Sequence, residues 1–424
     1  MGIVDTVMVG RLPASVVSIG AVSLGGMLYY TVTIFAGAIL FSLDTVVSQA
    51  FGAGRQDECN HALWTGMGMA VAVSPILMLV NAGLAAALPL AGVNPAVAPV
   101  ASSYLRILNW GTPFLLIYFV TRRYLQSISL PHAVMFTMLS ANVVNLAGNE
   151  ALIYGRWGAP AMGTDGSAWS TVIARFFIAA AFVGFLLYYD RSRRLGVVAS
   201  FGRPDIALAR RLFRLGMPAA THVLLEISVF AAVTAFIAQM DAASLASHQI
   251  SLNVASLTFM VPLGVSSAAA VRVGQAIGRQ DPTGASRAGW TAIALGVAFM
   301  ACAAAVLILF PAAIARLYSD DPAVLAGSVT LLMIAAVFQI FDGCQIVASG
   351  ALRGAGDTRT PMLCNLAFYW GIGLPVGWFL AFRAGKGAAG LWIGLCVALI
   401  AIGSVLLTAW RARVRDLFRA TSNP

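Results

Sequence analysis

The chain has 424 residues, of which 60% are hydrophobic and 10% are charged, and its formal net charge is +10. A soluble domain is about 45–50% apolar and about 25% charged, so this composition excludes an ordinary water-soluble protein. Its apolar runs exceed the roughly ten-residue strands of a membrane barrel, which favours helices. The sequence predicts an all-α polytopic membrane protein that contacts the lipid bilayer and does not bind nucleic acid.

Eleven apolar segments follow one another along the chain, separated by clusters of Gly, Pro, Asp and Arg. They cover residues 17–50, 61–91, 97–121, 131–154, 166–189, 207–240, 245–278, 285–317, 323–351, 361–382 and 388–410. Residues 1–10 precede them and are too few to cross a hydrocarbon core about 30 Å thick. We interpret them as the last third of a first helix, so the expected layout is twelve helices with the first one truncated.

Most basic residues share one side of this layout if successive segments cross the membrane in alternation. That side carries Arg55, Arg122, Arg123, Arg191, Arg193, Arg194, Arg203, Arg210, Arg211, Arg214, Arg272, Arg279, Arg287, Arg353, Arg359, Arg411, Arg413, Arg415 and Arg419. The other side carries Arg11, Arg156, Arg316, Arg383 and Lys386. Because cytoplasmic loops carry an excess of Lys and Arg, the first side is predicted to be cytoplasmic, together with both termini.

Two pairs of similar motifs indicate an internal duplication. "QAFGAGRQD" (Gln49–Asp57) recurs as "QAIGRQD" (Gln275–Asp281), and "GTDGSAW" (Gly163–Trp169) aligns with "GAAGLW" (Gly387–Trp392). The two motif pairs occur in the same order along the chain, and the two copies of each motif are separated by nearly the same number of residues. This indicates two six-helix units that enter the membrane from the same side as parallel repeats. The predicted domains are an N-terminal lobe over 1–189, a basic linker over 190–206, a C-terminal lobe over 207–412 and a tail over 413–424.

Three acidic residues lie within apolar surroundings. Glu226 is twelve residues past Arg214, which places it about 18 Å along a helix. Asp342 is eleven residues before Arg353, which corresponds to about 16 Å, and Asp5 lies about 9 Å from the outer end of its helix. An acid inside a bilayer costs about 2.5–3.5 kcal/mol on insertion scales and is a functional candidate by default.

Ion pairing within the membrane is an alternative role for these acids. Arg106 and Arg175 fall inside apolar segments and could pair with them. A fourth acid, Asp44, lies nearer to the cytoplasmic end of its segment. Both an ion pair and a functional role stay open for Asp44.

Uncharged polar residues supply further candidates for a transport cleft. Asn145 and Asn149 are spaced i, i+4 and therefore share a helix face. Gln339 and Asn253 are the other polar candidates, and Gln339 lies one turn before Asp342. Hydrogen bonding between helices is the alternative role for such side chains.

The two acids of the second half, Glu226 and Asp342, predict a site that two kinds of cation occupy in turn. Removal from water favours the neutral carboxylic acid, whereas a carboxylate in the same place attracts a cation. A proton (or Na⁺) and an organic cation therefore compete, and a cleft that opens to alternate sides exchanges them. The four histidines and five cysteines have no ligand spacing. No cofactor beyond the coupling ion is expected, and no metal site apart from Na⁺ at these two acids.

Several motifs resemble one transporter family. They are "VDTVMVGRL" (Val4–Leu12), "SHQISLNVASLTFMVPLG" (Ser247–Gly264) and "GALRGAGDTRTP" (Gly350–Pro361), which follows "FDGCQ" (Phe341–Gln345). Together they resemble the multidrug and toxic compound extrusion (MATE) transporters, in their bacterial NorM-like branch. The resemblance extends over the whole chain.

The resemblance implies twelve helices in two six-helix lobes that export small organic cations in exchange for H⁺ or Na⁺. It implies a monomer in the bacterial inner membrane. The coupling acids of the family match Asp5, Glu226 and Asp342, and its helix-five asparagines match Asn145 and Asn149.

Two departures from the family pattern affect the expected site. The sequences of family members begin earlier than this one. Most of the first helix is therefore expected to be missing, and Asp5 lies in the part that remains. One turn before Asp342, where this branch often has tyrosine, stands Phe338. A phenyl ring offers no oxygen ligand, and hard cations such as Na⁺ take several oxygens. The sequence therefore favours H⁺ as the coupling ion.

Two alternative functions follow from other features. "GAGD" (Gly354–Asp357) and "YYD" (Tyr188–Asp190) match the paired motifs of intramembrane aspartyl proteases. Both acids lie among arginines at segment ends and cannot share a proton inside the membrane, so no enzyme is predicted. A related flippase of lipid-linked oligosaccharides stays open, although anionic headgroups call for basic residues and the buried charges are mostly acidic.

Overall fold

A computed structural model describes residues 2–13, 15–193, 195–202 and 205–422, and these ranges contain helices and no strand. Arg194 and Arg203, which the sequence prediction assigned to the cytoplasmic side, lie outside the described residues, as does the end of the predicted tail at Asn423 and Pro424.

The first half of the described chain consists of eight helices. They are α1 (Gly2–Val9), α2 (Ser15–Ile39), α3 (Ser42–Gly52), α4 (Gln56–Ala87), α5 (Ala98–Asn109), α6 (Thr112–Ser127), α7 (Pro131–Tyr154) and α8 (Gly163–Arg193). Short 3₁₀ turns follow α4 at Leu88–Leu90 and α7 at Arg156–Gly158. The predicted segment 97–121 is divided between α5 and α6, because Pro113 has no N–H to continue the first helix and is suited to the first turn of the second.

The second half has the same general build. Its helices are α9 (Ile206–Ile237), α10 (Ala242–Gly278), α11 (Pro282–Leu309), α12 (Pro311–Arg316), α13 (Pro322–Gly354), α14 (Arg359–Cys364), α15 (Leu374–Trp378) and α16 (Gly387–Ser422). Two π-helical stretches, Asn365–Gly373 and Phe379–Arg383, join α14 and α15 into one continuous helix over 359–383.

Within the described ranges, nine helices are long and apolar enough to cross a membrane. They correspond to nine of the eleven predicted segments, and the other two are helical as α5 with α6 and as α7. The prediction of an all-α, multi-pass membrane protein is confirmed. The helical segments number twelve when the short α1 is included and broken helices are joined.

The chain divides into two compact units. Unit 1 comprises Met1–Leu43 and Arg55–Phe213, and unit 2 comprises Asp44–Gly54 and Arg214–Pro424. Unit 1 holds α1, α2 and α4–α8, and unit 2 holds most of α3, most of α9 and α10–α16. The domain bounds inferred from sequence stay a prediction, and the compact units depart from them at residues 44–54, which pack in unit 2 although they follow α2 directly.

Unit 1 has a core formed by α1, α2, α5 and α8. Tyr29 and Tyr104 are buried in it, and the Tyr29 hydroxyl lies 3.2 Å from the Thr112 Oγ1 atom. Helices α7 and α8 approach each other closely at Gly166 of α8, which faces the backbone of α7. A Cβ at Gly166 would lie 2.2 Å from the Leu152 carbonyl oxygen, so this contact tolerates no side chain.

Unit 2 is built around the pairing of α10 with α13. Gly350 and Gly354, one turn apart on α13, face the backbone of α10. A Cβ at either position would lie 2.3 Å from a carbonyl oxygen, that of Ser266 or that of Ala270. Small residues at this spacing let membrane helices approach closely and pack by van der Waals contact.

Residues 44–54 are anchored in unit 2 by polar contacts with the end of α13. The Thr45 hydroxyl donates a hydrogen bond to the Arg353 carbonyl at 2.6 Å, and the Gln49 amide donates to the Gly354 carbonyl at 3.0 Å. The Asp44 carboxylate lies 3.7 Å from the Arg353 Nε atom, and both side chains are buried. Asp44 therefore has an ion-pair partner, which answers the question that its sequence position left open.

Two arginines of the predicted cytoplasmic side are buried within helices. Arg123 lies within α6, with its guanidinium 4.1 Å from the centre of the Phe41 ring. Arg353 lies in the last turn of α13. A charge marks a helix end only when it must reach water, and these side chains find partners inside the protein.

Candidate cation-binding sites

The two acids of unit 2 are close together. Glu226 is on α9 and Asp342 is on α13. The Gln345 Nε2 atom donates a hydrogen bond to the Glu226 Oε1 atom at 3.1 Å, and the same side chain lies near Asp342. Asp342 is 6% exposed and Glu226 is partly buried. The structure thus brings together the pair of carboxyl groups that the sequence singled out at matching depth, with Gln345 beside both.

Several aromatic side chains pack together near this pair. Phe338, one turn before Asp342, is buried and makes edge-to-face contacts with Phe230 and Trp392, at ring-centre distances of 6.0 Å and 5.8 Å. Its ring supplies no oxygen to the acids. Tyr369 packs edge-to-face against Phe230, with ring centres 6.4 Å apart.

Tyr369 is a site residue that sequence reasoning missed. Its hydroxyl is buried, has no hydrogen-bond partner among the described residues and is near enough to Glu226 and Asp342 to interact with their charges. It lies in the π-helical stretch Asn365–Gly373, where an extra residue per turn changes the direction of the side chains that follow. Nothing in the apolar run "NLAFYWGIG" distinguishes this tyrosine from an ordinary core residue.

His222 is a second residue that the prediction missed. It is buried on α9, one turn before Glu226, and its ring lies near Gln345. The i, i+4 spacing of His222 and Glu226 is the sequence signal that would have identified it.

The two further polar candidates of this half have different surroundings. Gln339 is fully buried, and neither atom of its amide has a hydrogen-bond partner within the described ranges. Asn253 is on an exposed face of α10. The structure therefore leaves Gln339 with unused hydrogen-bonding capacity one turn from Asp342, and it does not group Asn253 with the acids.

Unit 1 contains a separate acidic site around Asp5, which is 2% exposed. The Asn149 Nδ2 atom donates to one carboxylate oxygen at 2.8 Å, and the Thr171 hydroxyl donates to the other at 2.9 Å. Asn145 lies within 3.4 Å of the Thr171 hydroxyl. Three helices, α1, α7 and α8, thus hold the acid and both asparagines that the resemblance indicated, and they add Thr171, which the prediction did not include.

The Asp5 site opens into a cavity of about 190 Å³. Tyr30, Tyr104 and Thr171 are among the side chains that line it with Asp5. Since a cavity needs roughly 10–15 Å³ of space open to the centre of a water molecule to hold one water, this cavity is large enough for several waters or for one small cation.

The arginines considered as partners for the acids contact other groups. Arg175 is buried, with its guanidinium 4.5 Å from the centre of the Tyr29 ring, and it donates to the Tyr30 hydroxyl at 3.4 Å and to the Leu108 carbonyl at 3.5 Å. Arg106 is exposed on α5. The described hydrogen-bond donors to Asp5 and Glu226 are neutral side chains.

The described residues contain no group of three or more His, Cys, Asp and Glu side chains that could hold a metal ion. The described groups near the acids are amides and hydroxyls, with the His222 imidazole in unit 2. A carboxyl group in such surroundings can bind and release a proton or attract an organic cation.

Comparison with known proteins decides the family. The MatE family model matches residues 1–149 and 218–379, which is most of the chain. The chain belongs to the MatE family. Within it, the chain is 36% identical to "Probable multidrug resistance protein NorM" of Mesorhizobium japonicum over 419 residues, covering 97% of this chain and 89% of that protein. It is 39% identical to "Multidrug resistance protein NorM" of Burkholderia vietnamiensis over 426 residues, covering 98% and 90%.

Solved MATE structures have the same fold. One, described as the outward-facing conformation of a multidrug resistance MATE family transporter, has a TM-score of 0.89 at 16% identity and covers 98% of this chain and 92% of its own. A eukaryotic MATE transporter has a TM-score of 0.85 at 21% identity and covers 98% and 93%. The chain is thus a NorM-like member of the MatE family, and the predicted resemblance is confirmed.

Proposed function

We propose that this MatE protein is a secondary active antiporter that exports small organic cations in exchange for H⁺, by alternating access of its two lobes. The observation that carries the proposal is the pair Glu226 and Asp342 beside Gln345 in unit 2, where Asp342 is buried and Glu226 is partly buried. Two carboxyl groups that lie close together and are removed from much of the water do not both stay charged without a counter-ion. Protons and an organic cation are the alternative counter-ions, so binding of one drives release of the other.

H⁺ is the coupling ion that the local chemistry supports best. Na⁺ requires several oxygen ligands, and the position next to Asp342 holds the oxygen-free ring of Phe338. Na⁺ at Glu226 and Asp342 would have to take its remaining ligands from Gln345 and Tyr369. Alternation between a proton and an organic cation needs no such ligand set.

Further parts of the proposal follow from the relatives and the charge distribution. The relatives are named as multidrug resistance proteins of bacteria, which supports transport of several small molecules and no enzymatic activity. The arginine-rich side is proposed to face the cytoplasm of the inner membrane, with both termini on that side. The protein is proposed to act as a monomer. The flippase alternative is not retained, because two carboxyl groups lie together in unit 2 and the described hydrogen-bond donor to Glu226 is a neutral amide, which does not favour an anionic headgroup.

The test is efflux of ethidium, a fluorescent organic cation, driven separately by a pH gradient and by a Na⁺ gradient in proteoliposomes. Glu226→Gln and Asp342→Asn are expected to abolish pH-driven efflux, because each removes a titratable group without changing its size. Asp321→Asn is the control, since Asp321 is an exposed helix cap that accepts hydrogen bonds from Ala323 and Val324. Efflux that persists in both acid variants contradicts the proposal.

A further inference from the structure

A row of polar side chains continues from the acids of unit 2 along α13. Asp342, Gln345, Ser349 and Arg353 are spaced three, four and four residues apart, so they lie on one face of the helix. Their relative exposures are 6%, 0%, 3% and 8%, although this helix is otherwise suited to an apolar environment. The row begins at the coupling acids and ends at the arginine-rich end of α13.

His222 extends this row from the neighbouring helix. It precedes Glu226 by four residues, about 6 Å of helix rise, in the direction of the arginine-rich end. Its ring lies near Gln345 and Arg353 of α13. Two helices therefore contribute to one polar row that leads away from the acids in one direction.

Three members of the row have unused hydrogen-bonding capacity. The His222 Nε2, Gln345 Oε1 and Ser349 Oγ atoms are buried and have no hydrogen-bond partner among the described residues. A buried polar atom without a partner costs about 1–3 kcal/mol, and most such atoms in proteins are hydrogen-bonded to protein or to ordered water. Three of them in one row indicate a place that water molecules enter.

We propose that His222, Gln345 and Ser349 conduct protons between the coupling acids and the arginine-rich end of α13. The proposal rests on H⁺ coupling as the function. A carboxyl group of Glu226 or Asp342 loses its proton to a water molecule and becomes a carboxylate. The lone pair of the His222 imidazole accepts that proton from the water, and the resulting imidazolium returns it to water nearer Arg353. Gln345 and Ser349 hold the waters in line.

The charged groups around His222 make it a carrier and not a resting place for the proton. Arg353 on α13 is the positive charge near His222, and it is itself paired with Asp44. Glu226 on the same helix and Asp342 on α13 attract the proton back when they are ionised. The proton therefore leaves the row only when the acids have taken up another cation.

A second buried histidine in unit 2 offers a matched control. Both ring nitrogens of His248 are occupied, with Nε2 2.8 Å from the Thr234 hydroxyl and Nδ1 accepting a hydrogen bond from the Trp392 indole at 3.1 Å. His248 therefore has no free lone pair. It is buried to the same degree as His222 but lies outside the row.

The experiment follows proton release during ethidium transport in proteoliposomes that contain a trapped pH-sensitive dye. His222→Ala is expected to slow coupled proton release at least about tenfold, because a positioned proton carrier contributes about 10²–10⁴-fold and water allows some bypass. Added imidazole should restore part of the rate. Gln345→Leu and Ser349→Ala should slow release to a smaller extent. His248→Ala should show no rescue by imidazole.

The outcomes separate this path from the proposed function. If the parent transports ethidium without releasing protons, H⁺ coupling and the path are both overturned. If the parent is coupled and His222→Ala releases protons at the parental rate, only the path is overturned. Slowing of His222→Ala that imidazole does not relieve indicates a structural role and also overturns the path.

Discussion

The buried ion pair of Asp44 and Arg353 allows a quantitative prediction about stability. The two side chains are 1% and 10% exposed, and the nitrogen–oxygen distance is 3.7 Å. At an effective dielectric constant of about 20, two unit charges at this distance attract each other by about 4.5 kcal/mol. Removal of one partner leaves the other charge buried, and such changes cost about 3–5 kcal/mol. Asp44→Asn or Arg353→Gln is therefore expected to lower the free energy of unfolding by that amount.

Removal of both charges is expected to cost less than the sum of the two single changes, because no uncompensated charge stays behind. The matched control is Arg55→Gln. Arg55 pairs with Glu58 at 2.7 Å, but these side chains are 59% and 52% exposed, and exposed pairs contribute about 0.2–1 kcal/mol.

Unfolding of the purified protein in mixed micelles, followed by tryptophan fluorescence, measures these free energies for the parent, the single variants and the double variant. A loss in Asp44→Asn no larger than that in Arg55→Gln, or strictly additive losses in the double variant, would refute the assignment of a strong buried pair. Transport need not be measured, so this outcome does not depend on the proposed function.

Three further predictions concern packing, hydrogen bonding and ion choice. Gly354→Ala should lower the free energy of unfolding by about 1–3 kcal/mol, because the added carbon overpacks against α10. Gly264→Ala is the control and should not destabilise the protein, because nothing lies within 4 Å of the added carbon. Thermal unfolding measures both effects. Asn149→Leu removes the hydrogen bond to the Asp5 carboxylate, and a buried acceptor without a partner costs about 1–3 kcal/mol. The affinity for ethidium, measured in equilibrium binding, should therefore change. Asn142→Leu, at an exposed position of the same helix, is the control, and equal effects of the two changes would exclude a specific role for Asn149. Phe338→Tyr adds an oxygen beside the acids of unit 2 and should permit Na⁺-driven efflux, which a Na⁺ gradient without a pH gradient measures; no gain would weigh against ligand supply as the basis of ion choice.

The contacts of the acids were only partly predictable. Glu226 and Asp342 stand out in the sequence because a carboxyl group far from any helix end has no access to water, and depth along each helix follows from the rise per residue alone. Tyr369 does not stand out, since a tyrosine in an apolar run is ordinary and its orientation depends on a π-helical turn. Asn253 looked equivalent to Asn145 by residue type, but the two differ in exposure.

The sequence by itself determined the membrane class and the number of helical segments, and it singled out Asp5, Glu226 and Asp342 as acids within apolar segments. Each of these depends on how many consecutive residues are apolar and on where the charges interrupt them, and such properties are local. Only the tertiary structure decided that Arg353 is the partner of Asp44 and that the described donors to Asp5 and Glu226 are neutral side chains. The physical reason is that pairing depends on which helix faces meet, and residues hundreds of positions apart in the chain meet only after the helices pack.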